Sequence, residues 1–364
     1  MIPVYAPFLT GVEKKYVNEC LDETWISSKG SFISRFEASF AAYTKIAHAT
    51  TVSNGTVALH LALLALGLKA GDEVIVPTLT YVASVNTILQ VGAEPVYVDA
   101  NPFTYQMDVD DVVRKISPRT KAIMAVHLYG LPCDMDALTK ICRDHQLFLI
   151  EDCAEAFGTY YKDQHVGHFG DVATFSFFGN KTITTGEGGM VVTSSKHVMD
   201  KVCHLKNQGV SLTQEYWHDV LGYNYRMTNI CAAIGLAQLE QADVILAKKR
   251  QIASWYQEDL VDLPLTMHEE IDNTRHSFWM CSILLDEQGK QALLRAHLKT
   301  SGVETRPFFH PAHTLPHCKR PGSHPVAESL SARGINVPSS PLLSHDDVRH
   351  ITTAIRLFFT KDDV

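Results

Sequence analysis

Short apolar runs alternate with helix-spaced stretches through the first half of this chain, and that alternation restricts the fold more than any other feature. The runs Glu73–Val76, Pro95–Asp99, Ala122–His127, Leu147–Glu151, Ala173–Phe177 and Gly189–Thr193 read as strands covered on both faces. Between most of them lie Thr56–Leu68, Tyr81–Leu89, Met135–His145 and Lys196–Leu205, whose apolar residues recur at helical spacing. A mainly parallel sheet with helices on both faces follows. The link Gly186–Met190 is short, so the last strand is expected to enter antiparallel through a turn.

A long helical stretch from Thr228 to about Leu260 carries Ala232, Ala233, Leu236, Leu239 and Ile245 and leads out of a large domain placed at 1–245. Strand-like Ser277–Leu285 and Val303–Arg306, with helices around Glu287–Thr300 and His345–Phe359, predict a smaller α+β domain at 246–364. The composition, 46% hydrophobic and 20% charged, is that of a globular protein. The net charge of -8, with no run of Lys or Arg, argues against a nucleic-acid surface.

The segment Met1–Pro7 has neither a basic nor an apolar leader region, and the longest apolar stretch, Val57–Leu68, is too short to span a bilayer and contains His60. Eight cysteines are scattered without a CxxC pair, as in a reducing compartment. A cytoplasmic protein that does not engage a membrane is expected.

Lys181 lies just beyond the aromatic strand Thr174–Phe178 and just ahead of the glycine-rich turn Gly186–Gly189. A lysine held against apolar walls loses solvation, its pKa falls, and the neutral amine attacks carbonyls to form a Schiff base. Upstream, the run Phe148–Ala156 contains a strand that ends on the two acids Glu151 and Asp152, and open α/β sheets place ligand-binding groups at strand carboxyl ends. In a pyridoxal-phosphate enzyme such an aspartate keeps the pyridine nitrogen protonated; the alternative is that Asp152 caps a following helix. Ser53-Asn54-Gly55-Thr56 reads as a turn opening a helix, either a phosphate cradle or a plain cap, and Ser176 offers one more hydroxyl. Tyr81, after the Glu73–Val76 strand, is placed either to stack on an aromatic ring or to pack in the core.

These motifs, together with Gly222-Tyr223-Asn224-Tyr225-Arg226-Met227, resemble the DegT/StrS-type sugar-nucleotide aminotransferases over nearly the whole chain. The resemblance implies a type I pyridoxal-phosphate transferase fold with a mainly parallel seven-stranded large-domain sheet, and a homodimer, or a tetramer built from it, with active sites shared between subunits. Lys181 matches the lysine that binds the cofactor, Asp152 the partner of the pyridine nitrogen, and Gly55, Thr56 and Ser176 the phosphate contacts. Tyr81 matches the stacking aromatic and Asn224 the asparagine reaching the phosphate from the other subunit. Glu155 stands where many members carry Gln or His beside the ring hydroxyl. Overall resemblance points to C4 amination of GDP-4-keto-6-deoxymannose with L-glutamate as donor, for a surface polysaccharide such as an O-antigen; UDP- or dTDP-linked 4-keto or 3-keto sugars are the alternative.

Arg306 and Arg226 are candidates for an anionic group of either substrate, with a surface ion pair the alternative for Arg306. His313 is a candidate for the sugar, and Trp25 and Ser27 for the nucleotide. Three rivals are weighed. A dehydratase of the same fold commonly replaces the cofactor lysine with histidine, against which Lys181 speaks. A metal-binding protein would use His310, His313, His317, Cys318 and His324, but Pro311, Pro316 and Pro321 break up a regular scaffold, so no metal is expected. A non-catalytic regulatory protein of the same fold is opposed by intact Lys181, Asp152 and Ser176.

Overall fold

The strands in chain order are β1 (His48–Val52), β2 (Glu73–Pro77), β3 (Glu94–Val98), β4 (Thr120–Val126), β5 (Phe148–Asp152), the short pair β6 (Tyr160–Tyr161) and β7 (Gln164–His165), β8 (Val172–Ser176) and β9 (Gly189–Thr193) in a computed structural model that describes residues 1–361. All but β6 and β7 form one seven-stranded sheet in the order β1-β9-β8-β5-β4-β2-β3. Pairs β2/β3, β2/β4, β4/β5 and β5/β8 are parallel, while β9 runs antiparallel to both neighbours. The carboxyl ends of β1, β2, β5 and β8 therefore open on one edge.

The sheet is covered on both faces, which is why its strands read as unbroken apolar runs. Val74, Ile75 and Val76 are fully buried although successive side chains point to opposite faces. Polar side chains fix where the covering helices begin. Asn54 accepts from the Val57 amide at 3.0 Å at the start of Gly55–Ala65, Ser195 caps Lys196–Lys206, and Thr228 caps Asn229–Glu240.

The remaining strands are β10 (Leu265–Met267), β11 (Thr274–Arg275), β12 (Cys281–Leu285), β13 (Arg306–Pro307) and β14 (Gly334–Val337). Four of them form the antiparallel sheet β10-β12-β14-β13, packed beneath helices Lys290–Thr300 and His345–Lys361. The predicted strand over Ser277–Leu285 starts only at Cys281. Phe278 adopts φ 49°, and the Ser277 amide donates to the Gly130 carbonyl, so the chain turns across the large sheet's edge first.

The predicted helix from Thr228 to Leu260 is two helices, Asn229–Glu240 and Ala242–Leu260, bent by 63° at Gln241 (φ -107°, ψ 8°). The two halves serve different cores. The first is buried almost all round against the large sheet. The second packs Ile245 and Leu246 there, then Ile252, Ala253 and Tyr256 against the small sheet. The expected boundary at 245/246 falls within this helix, and Ile2 in the N-terminal segment bridges Val303 beside the small sheet. Among the described residues no single helix is long and apolar enough to cross a membrane.

Gly235 lets the buried helix approach its neighbour closely: a Cβ there would lie 2.6 Å from the Phe36 ring and 2.7 Å from Thr185 Cγ2. Gly235→Ala is expected to destabilise the protein by about 1–3 kcal/mol through overpacking, read as a lower urea midpoint at unchanged m-value.

Candidate active site

After β8 the chain loops out and back, closed by the Thr185 amide on the Phe177 carbonyl and a bridge between Phe178 and Gly186. Lys181 sits at the tip of this loop with its side chain only 12% exposed. Its Nζ lies 3.8 Å from the Trp279 ring centroid and 3.8 Å from Glu155 Oε1. Burial lowers the lysine pKa, opposed by the charges of Glu155 and Asp152. Burial raises the Glu155 carboxyl to about 7, opposed by Lys181. Both members of the pair are pushed toward their neutral forms, the state in which a lysine is nucleophilic. The other Glu155 oxygen accepts from the Tyr129 amide at 2.9 Å.

Asp152, the last residue of β5, is buried, and burial raises its pKa. Its Oδ2 accepts from Ser84 Oγ at 2.7 Å and its Oδ1 from the Ala154 amide at 3.1 Å. Because Ser84 uses its one hydroxyl proton on Asp152, it accepts from Thr80 at 3.1 Å. No helix follows Asp152, only turns, so the helix-cap alternative is not realised. A buried carboxylate with a raised pKa is stabilised by any cation brought against it.

Its neighbour Glu151 points to the opposite face of β5. There its oxygens accept from the Gly167, Phe169 and Gly170 amides at 2.6–2.8 Å and lie 3.1 Å from His127 Nε2. His127 Nδ1 accepts from the Cys133 amide, so Nε2 carries the proton and donates to Glu151. Among the described residues, three possible metal ligands converge at His127, Glu151 and Cys153, not within 310–324. The lone pairs of Glu151 are occupied by N–H donors, which makes it an anchor for the loop behind β5.

The helix start at Gly55 meets Ser176 at the end of β8. A Cβ at Gly55 would lie 2.7 Å from Ser176 Cβ, so only glycine allows this approach. The start of this helix and Ser176 Oγ thus lie side by side, an arrangement suited to a phosphate. On either side of Lys181, Asn180 Oδ1 and Thr182 Oγ1 are buried without a hydrogen-bond partner among the described residues. Tyr81, which follows β2, is 56% exposed, with its ring 5.6 Å from Phe309. Acceptor, amine, cradle and exposed aromatic together fit a phosphorylated pyridine aldehyde.

The other expected residues have contacts of their own. Asn224 is exposed, and its Oδ1 accepts from Arg226 at 3.1–3.2 Å. Arg306 is 62% exposed and pairs with Glu304 at 2.9 Å, which is the surface ion pair weighed for it. His313 is buried, with Nδ1 2.7 Å from Thr78 Oγ1 and Nε2 3.3 Å from Glu328. The Trp25 and Ser27 side chains are exposed, but their carbonyls are pinned by Asn229. Sequence reasoning passed over Ser84, Trp279 and Tyr5. Ser84 had a signal, a hydroxyl one helical turn beyond Thr80-Tyr81 on the same edge; the other two had none.

The model of the DegT/DnrJ/EryC1/StrS aminotransferase family matches residues 8–356. The GDP-perosamine synthase of Escherichia coli O157:H7 is 57% identical over 360 residues, 99% of each chain. Among solved structures, an aminotransferase from Streptoalloteichus hindustanus superposes with a TM-score of 0.96 at 28% identity, over 100% of both chains. The PLP form of a putative sugar aminotransferase from Streptococcus pneumoniae gives 0.94 at 27%, over 98% of both.

The raised Glu155 pKa has a direction in pH. Its contribution to stability is fully present below the unfolded value of 4.5 and lost as pH rises through about 7. In cofactor-free protein, the stability of Glu155→Gln relative to wild type is therefore expected to increase from pH 4.5 to 7, measured by urea unfolding across that window.

Proposed function

Because the chain belongs to the DegT/DnrJ/EryC1/StrS aminotransferase family, and is a pyridoxal-phosphate-dependent transaminase of sugar nucleotides, we propose that it aminates C4 of GDP-4-keto-6-deoxymannose with L-glutamate as donor. The observation that carries the reaction chemistry is the buried Lys181 amine facing Glu155, with Asp152 on the same sheet edge. The sugar and nucleotide rest on full-length likeness to GDP-perosamine synthases. The setting proposed is cytoplasmic synthesis of an amino sugar for a surface polysaccharide.

When bound, pyridoxal phosphate supplies a carbonyl that captures amines and a ring that accepts the electron pair left by a departing proton. The chain's own residues do the rest. Lys181 Nζ, whose pKa burial lowers, is the base that takes the α-proton of glutamate. In the second half-reaction the same nitrogen returns a proton to the sugar at C4. Asp152, oriented by Ser84, would hold the proton on the ring nitrogen, and Glu155 would serve the ring hydroxyl. Gly55, Thr56 and Ser176 would hold the phosphate, and Tyr81 would stack on the ring. Arg226, Arg306, His313, Trp25 and Ser27 remain candidates for the substrate.

Asn224 is exposed and accepts from Arg226 within one chain, so the phosphate role that family resemblance gives it calls for a site completed by a second copy. The same segment exposes Leu212 (97%), Tyr216 (95%) and Leu221 (81%), an apolar surface suited to burial against that copy. A homodimer with shared sites is the proposed assembly.

A panel of GDP-, UDP- and dTDP-linked keto sugars with L-glutamate tests the substrate. The GDP-4-keto sugar is expected to turn over at least about 100-fold faster by kcat/KM, and preference for a UDP or dTDP sugar overturns the assignment. Lys181→Ala is expected to lower kcat at least about 1,000-fold. Mixing Lys181→Ala with Asn224→Ala subunits, each impaired alone, should restore activity toward about a quarter of wild type if sites are shared between chains. No gain on mixing dissociated subunits contradicts the shared site.

A further inference from the structure

Helix Ala242–Leu260 carries a second buried lysine. Lys249 is 1% exposed, and its Nζ donates to the carbonyls of Trp279 at 3.1 Å and Ser339 at 2.9 Å and sits 5.1 Å from the Tyr5 ring centroid. Among the described residues no carboxylate lies within ion-pairing distance of it. The titratable groups acting on it are the buried Cys281 thiol and the neighbouring His276, and burial lowers its pKa to about 8. A buried cation satisfied only by carbonyl dipoles and a ring is costly to keep, so its contacts need a reason.

Those contacts lead to Lys181 by two short paths. Trp279 lays its ring under Lys181 Nζ at 3.8 Å, and its indole Nε1 donates to the Asn180 carbonyl at 2.8 Å. Tyr5 donates its hydroxyl to the Lys181 carbonyl at 2.8 Å. Trp279 and Tyr5, the two groups that hold the peptide carrying the reactive amine, are thus both held by one ammonium. Replacing that ammonium by an apolar group leaves two buried carbonyls unpaired and frees the ring of Tyr5.

We propose that Lys249 is a positioning residue for Lys181, fixing Trp279 and Tyr5 and through them the backbone and aromatic wall that set the reactive amine. The proposal rests on the reading that Lys181 binds the cofactor. Absence of a visible cofactor band in wild type would fail that reading, whereas the variants below fail or support this one.

The test uses full-length holoenzyme of Lys249→Met and Lys249→Arg. Lys249→Met, folded by circular dichroism, is expected to move the pH midpoint of the visible band by at least about half a unit. It should also lower kcat at least about fivefold with both KM values within about twofold. Lys249→Arg, which keeps the charge, should return the midpoint to near the wild-type value. An unmoved midpoint in Lys249→Met overturns the proposal, as does a shift that Lys249→Arg leaves unreversed. If Lys249→Met does not fold, Tyr5→Phe decides: a shifted midpoint supports the clamp, and a wild-type midpoint and kcat overturn it.

Discussion

Everything at this site depends on the burial of one amine. Lys181 loses most of its hydration inside the loop after β8, and the group that answers its charge, Glu155, is itself pushed toward neutrality by burial. Water would hold this lysine protonated and inert; burial lowers its pKa and so favours the neutral amine. The Trp279 ring closes the remaining side, and its attraction for a cation is weaker than an ion pair, so the amine is contained without being locked as an ammonium.

The sheet makes that arrangement possible. Parallel strands β2, β5 and β8 end on one edge, so residues far apart in sequence arrive together: Ser84 beside Asp152, Gly55 against Ser176, and Lys181 across from Glu155. Glu151 and Asp152 divide the labour by strand alternation. One saturates its oxygens with N–H donors to hold the loop behind the sheet, and the other keeps capacity for a cation on the working side. Transamination needs a carboxyl placed to receive a cation and an amine whose neutral form is favoured within one cleft, and a single strand edge supplies both.

The large sheet was legible because its strands are buried on both faces and leave continuous apolar runs, and the strand-end residues were legible with it. Contacts made through backbone carbonyls were not. Tyr5 and Trp279 reach residues 181 and 180 from 176 and 99 positions away, and a carbonyl acceptor leaves no trace in residue identity. The break at Gln241 was also hidden, because glutamine continues a helical pattern and the bend comes from the two cores on either side. Arg306 shows the converse: its chemistry suits an anion, and within the single chain it pairs with Glu304 two residues away, a contact that residue type alone does not reveal. Asn224 has no role that one chain alone can show.

Two buried lysines with lowered pKa values, Lys181 and Lys249, lie on either side of Trp279, and the account assigns covalent chemistry to only one. Borohydride reduction of the holoenzyme followed by peptide mass mapping separates them. A pyridoxyl group on Lys181 alone is the predicted result. The same group on Lys249, or on any other lysine with Lys181 unmodified, would contradict the account at its centre.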